Sequence, residues 1–69
     1  MEKGQIVEHK DKNSTSGYTH EGHYFYDQDC RMKDFITGNW VDAVIYRDVK
    51  TNQLFVREKN DFLLKFKPV

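Results

Sequence analysis

One cysteine, one proline and four glycines are all that the 69 residues contain of those three types. With Cys30 alone, no intramolecular disulfide can staple the chain, which excludes a secreted mini-protein built on disulfides. The single proline, Pro68, stands near the far end and leaves the rest of the sequence without ring-imposed breaks. Long apolar runs are also missing. Nothing approaches the ~20 residues of a membrane span, and Met1-Glu2-Lys3-Gly4 opens without the apolar core of a signal peptide. A cytoplasmic protein without membrane contact is therefore the expectation. Charge of one sign is lacking as well: eleven Lys and Arg balance eleven Asp and Glu, for a formal net charge of zero. Bulk attraction to nucleic acid or to anionic lipid has no source. At this length one small domain, residues 1–69, is expected, with no room for a dinucleotide fold or an α/β barrel.

The signatures of catalysis are absent too. There is no Gly-rich phosphate loop, no Gly-Lys-Ser/Thr and no nucleophile elbow. Asp27, Asp29, Asp34, Asp42, Asp48 and Asp61 are scattered, with no spacing that would set two carboxyls to opposite proton-transfer roles. Cys30 stands beside a carboxylate rather than a base, which suits a packed thiol better than a nucleophile. His20 and His23 form an H-x-x-H, with His9 and Cys30 the other soft ligands. Three residues apart on a strand, the two imidazoles point to opposite faces and cannot chelate; in a turn they could. No second ligand pair accompanies them. The expectation is no enzyme, no cofactor and no metal, with both imidazoles at the end of a loop.

What the chain does have is aromatic residues: five Phe, four Tyr and one Trp. These bury more area than aliphatic side chains and favour folding despite a charged fraction of 32%. Four apolar clusters carry most of them. Gln5–His9 is the first. Residues 10–21, polar and small, read as a mobile loop. Gly22–Met32 follows, with Tyr24, Tyr26, Gln28, Cys30 and Met32 on one side of a period-two pattern. Residues 33–39 form a connector whose turn signal is Thr37-Gly38-Asn39. Trp40–Arg47, rich in β-branched and aromatic residues, reads as the central strand. After a turn over 48–52, with Asn52 the residue suited to positive φ, Leu54–Arg57 returns as a hairpin partner. Phe62 and Phe66 then sit at i and i+4 behind Asn60 or Asp61 as a helix cap, with Pro68 as the stop. A mainly β fold follows: a small, strongly bent antiparallel sheet or SH3-like barrel of four to five strands with one short C-terminal helical turn. The barrel is the preferred form, because closing hides the edges of so short a sheet. An open sheet that completes its core by dimerising is the other form.

The second half of the chain resembles a known family. Val44-Ile45-Tyr46-Arg47, Leu54-Phe55-Val56-Arg57, then Phe62 and Phe66 are similar to the Val-Val-Tyr-Arg, Leu-Trp-Val-Arg-Pro and Phe-plus-four pattern of a small family. Its members occur in bacteria and phages and form a domain of unknown function, number sixteen fifty-three. Tyr18-Thr19-His20 with Gly22 and Tyr24 resembles that family's opening, with shorter spacings, and His9-Lys10 after Gly4 is a rival alignment. Glu58 replaces the family's proline. The resemblance implies a short, cytoplasmic, β-rich protein of phage or prophage origin.

The candidate binding residues are Trp40, Tyr46, Arg47, Arg57 and Tyr24. Arg47 and Arg57 end neighbouring strands of a hairpin, where two guanidiniums could fork onto a phosphate or carboxylate. Ion pairing to Asp42, Asp48 or Glu58 is the more ordinary use. Trp40 beside Tyr24 and Tyr46 has the make-up of a protein-binding hot spot, although Tyr46 and Phe55 also suit a core. The sequence thus points to a non-enzymatic binding module that engages a protein partner through an aromatic-rich face, with a homo-oligomer possible. The alternative is an oligomer that sequesters a small anionic molecule or nucleotide in an Arg-lined interface pocket. Single-stranded nucleic acid is weaker still, because Asp42, Asp48 and Glu58 flank the strands that would carry stacking rings.

Overall fold

The computed structural model describes residues 1–11 and 22–69; most of the stretch read as a loop, 12–21, and with it His20, lies outside the described residues. Four strands follow one another as a meander: β1 (Ile6–His9), β2 (His23–Lys33), β3 (Trp40–Asp48) and β4 (Leu54–Glu58). The helix α1 (Lys59–Lys65) then carries the chain across one face of the sheet to β5 (Phe66–Pro68), which pairs with β1. The strand order is β4-β3-β2-β1-β5, antiparallel at every described pairing.

This is the bent antiparallel sheet, and it stays open: β4 and β5 are edges rather than neighbours, so the preferred barrel closure does not occur. The helix explains why closure is unnecessary. Seven helical residues rise only ~10 Å, whereas five flat strands would set the outer two ~19 Å apart. The sheet must curl toward the helix for so short a crossing to reach both edges, and the helix then fills the concavity.

Two local features differ from the sequence reading. First, β2 carries a bulge: Tyr26 pairs with Tyr46, but Gln28, not Asp27, pairs with Ile45. An inserted residue shifts the alternation by one. Asp29 and Arg31 therefore join Tyr24 and Tyr26 on the helix side, while Gln28, Cys30 and Met32 turn to the other face. Second, the helix begins earlier than Asn60 or Asp61. Its cap is Glu58, whose carboxylate accepts from the Asn60 and Asp61 backbone N–H groups, both at 3.2 Å. The helix runs two turns and ends before Phe66, and Pro68 sits in an edge strand, where a missing N–H is tolerated. Glu58→Ala is expected to cost about 1 kcal/mol, read as a lower urea midpoint with an unchanged m-value.

The core lies between sheet and helix. Val7, Tyr26, Val44, Tyr46, Phe62 and Phe66 are buried, with Tyr24 and Phe55 packed against them. Phe62 and Phe66 stack with centroids 4.7 Å apart, and Tyr46 stacks on Phe55 at 5.5 Å. Turn chemistry follows the residues: Asn52 has φ 64° and Gly38 φ 74°. Among the described residues, no helix is long and apolar enough to cross a membrane.

Candidate functional site

Tyr24, Tyr46 and Arg57 come together, but beneath the helix. The Tyr24 ring meets Tyr46 edge-on at 5.4 Å and Phe66 at 5.6 Å. Tyr46 is only 5% exposed. Arg57 is engaged within the chain: its Nη1 donates to Asp61 at 2.6 Å, its Nε donates to the Tyr46 hydroxyl at 3.3 Å, and its guanidinium lies 5.5 Å from the Phe66 ring centre. Burial works against the Arg57 charge, yet the bonds to Tyr46 and Asp61 outweigh it and raise the guanidinium further above its ordinary value. In return, Arg57 holds the Asp61 carboxyl below its ordinary value. Burial, followed by the nearby Asp48 charge, raises the Tyr24 phenol. These groups fasten helix to sheet.

Arg47 stands elsewhere. Cross-strand partners share a face, so Arg57, opposite Val44, lies on the helix side, and Arg47, opposite Leu54, lies on the other. The two arginines therefore do not converge on one anion, and neither uses the ion pairs expected for it. Arg47 lies over the Phe25 ring at 5.4 Å from its centre, with its buried Nε donating to no acceptor among the described residues. His23 pairs instead with Glu8, its cross-strand neighbour, at 3.4 Å.

Trp40 is 61% exposed. It opens β3 opposite Lys33, at the base of the turn that joins β2 to β3. That turn holds the most exposed apolar side chains among the described residues: Phe35 is 99% and Ile36 91% exposed. The loop beneath them is well braced. Asp34 Oδ1 accepts from the backbone N–H of Ile36 at 2.8 Å and of Thr37 at 3.2 Å. The Asp34 backbone N–H donates to the Asn39 carbonyl and its carbonyl accepts from Gly38. An Asx-type brace of this kind fixes the backbone while the core takes neither side chain. Sequence reading placed Phe35 and Ile36 inside a connector. The available signal was two adjacent bulky apolar residues between Asp34 and Thr37-Gly38, where turn chemistry leaves nothing for them to pack on.

Among the described residues, a recess of about 80 Å³ lined by Met1, Tyr26, Asp29, Val44, Lys59, Phe62 and Leu63 is small. Small-molecule sites run to roughly 300–1,000 Å³. Its polar wall is a relay in which Lys59 Nζ donates to Asp29 Oδ2 at 2.7 Å and the Tyr26 hydroxyl donates to Asp29 Oδ1. Lys59 first, then Tyr26, holds the Asp29 carboxyl below its ordinary value. No family model, no curated protein and no solved structure matches the chain.

Proposed function

We infer that the protein is a non-enzymatic binding module that holds a protein partner with the tip of its β2–β3 hairpin. Phe35 and Ile36 enter an apolar cleft of the partner, and Trp40 packs on its rim. The observation that supports this reading is the pairing of nearly complete exposure at Phe35 and Ile36 with a turn braced by Asp34. Apolar side chains presented on an ordered backbone bind with little backbone entropy left to lose. The aromatic-rich face of the sequence reading gives its rings to the core, which leaves Trp40 as its one contribution to the contact. A bacterial cytoplasm, with a phage or prophage source, is the setting this reading adopts from the family resemblance. The anion-sequestering alternative draws no support from two arginines on opposite faces.

The test is partner capture from bacterial lysate by the immobilised native chain beside a Phe35→Ser, Ile36→Ser double variant. Neither side chain packs on the core, so the variant is expected to keep its unfolding free energy within about 0.5 kcal/mol. A partner retained by the native chain and lost by the variant supports the reading. A partner held equally by both, or none held by the native chain, overturns it.

A further inference from the structure

The helix covers one face of the sheet; among the described residues no element covers the other. Registers place Ile6, Phe25, Met32, Ile45, Leu54 and Val56 on that second face. Leu54 and Val56 are each more than half exposed, Ile6 is also exposed, and Phe25, Met32 and Ile45 are half-buried. We propose that this uncovered sheet face seats a second copy of the chain, the two sheets meeting as the inner layers of a symmetric dimer.

Three observations favour a second copy over any other occupant. The first is area. Five strands of four, eleven, nine, five and three residues span a footprint on the order of 500 Å² at ~4.8 Å between strands and ~3.3 Å per residue. Two such faces together bury on the order of 1,000 Å², about the size at which a specific interface begins. The second is charge. The carboxylates that the registers place on this face are engaged within the chain: Glu58, opposite Ala43, caps α1, and Glu8 is ion-paired. Glu8, His23 and Lys67, at one end of the face, are paired with one another. Arg47 lies over the Phe25 ring, so its side chain covers apolar surface instead of standing off it. With zero formal net charge, two copies approach without long-range repulsion. The third is shape. Sheets pack face to face ~10 Å apart with interdigitating side chains, and a two-fold axis lets one patch be its own complement.

Sedimentation equilibrium tests the proposal on the intact chain over about 1–200 µM, a span that brackets micromolar self-association. The native chain is expected to approach twice its 8.3 kDa mass. Val56→Lys is expected to weaken association roughly 100-fold, because a symmetric interface carries the change twice. Leu54→Lys, on the same exposed edge strand, repeats the test should Val56→Lys lose its native circular dichroism. Cys30 lies on this face opposite Ala43 and supplies a second readout. Its reaction with an aromatic disulfide reagent is expected to slow as native protein concentration rises, and to stay constant in Val56→Lys. The Phe35→Ser, Ile36→Ser variant is expected to keep the dimer mass, which separates this proposal from the hairpin-tip reading. A native chain that stays at monomer mass throughout, a Val56→Lys chain that still dimerises, or a Cys30 rate independent of concentration overturns it. So does a face occupied by a different protein while the isolated chain is monomeric.

Discussion

Phe62→Ala is expected to remove about 3–5 kcal/mol of unfolding free energy, a large share of what the chain has. Phe62 is fully buried, stacked on Phe66 and packed against Tyr46 at 5.3 Å and Tyr26 at 6.4 Å. Truncating a buried Phe costs about 3–5 kcal/mol, through lost transfer energy and the cavity left behind. A domain this short has a total of roughly 3–10 kcal/mol to lose. Phe62 is also the one buried residue of α1, so its loss releases the helix and, with it, the strand that follows. Urea unfolding followed by circular dichroism, with Leu64→Ala as the control, measures the effect. Leu64 is exposed on the same helix, and its truncation is expected to shift stability by no more than about 0.5 kcal/mol. A Phe62→Ala chain as stable as the Leu64→Ala chain would remove the helix–sheet core from the account.

Alkali is expected to unfold the native chain between pH 10 and 12, and Tyr26 is expected to be a principal cause. Burial first, then the hydrogen bond and charge of Asp29, push the Tyr26 phenol up to about 12 from its ordinary 10.0. The folded state therefore keeps a proton that the unfolded state gives up. With the folded value raised, this contribution is fully present below pH 10 and is lost as pH climbs toward 12. Tyr24, raised by burial, acts in the same direction. Urea midpoints measured at pH 9, 10, 11 and 12 are expected to fall steeply over the last two steps. In Tyr26→Phe the fall is expected to be shallower, since phenylalanine has no proton to surrender. Equal slopes in the two chains would show that the Tyr26–Asp29 pair contributes nothing to the alkaline limb.

Much of the fold was legible because short strands announce themselves by alternation and turn residues. Trp40–Arg47 and Leu54–Arg57 fall within β3 and β4, and Asn52 takes the positive φ its side chain tolerates. Three features were hidden for physical reasons. The β2 bulge adds no unusual residue: Asp27 pairs with Lys3 at 3.4 Å, an interaction between sequence-distant segments that period-two counting cannot include. The Glu58 cap uses a longer side chain than the usual Ser, Thr, Asp or Asn. β5 has too few residues to show any period, and β1, some sixty positions earlier, provides its hydrogen-bonding neighbour. The site was less legible than the fold. Tyr24, Tyr46 and Arg57 looked available because aromatic and cationic side chains serve cores and interfaces alike, and only the helix packed over them decides. Arg47 and Arg57 are ten positions apart, and the hairpin turn between them, which determines whether they share a face, could not be counted from composition. Phe35 and Ile36 were passed over because a turn was expected to be polar.

The pairing of Val7 with Pro68 also bears on the order in which the chain assembles. Most of the meander is made of near-neighbour hairpins, which zip in microseconds once begun. From the unfolded chain, seating β5 against β1 would close a loop of almost the whole sequence, whereas behind a formed meander only α1 has to be spanned. The meander can assemble early, but the helix has no fixed far end until that last strand locks. Docking of the final dozen residues is therefore expected to come after the meander and to complete the core last, although the hydrophobic mass lies in the strands before them.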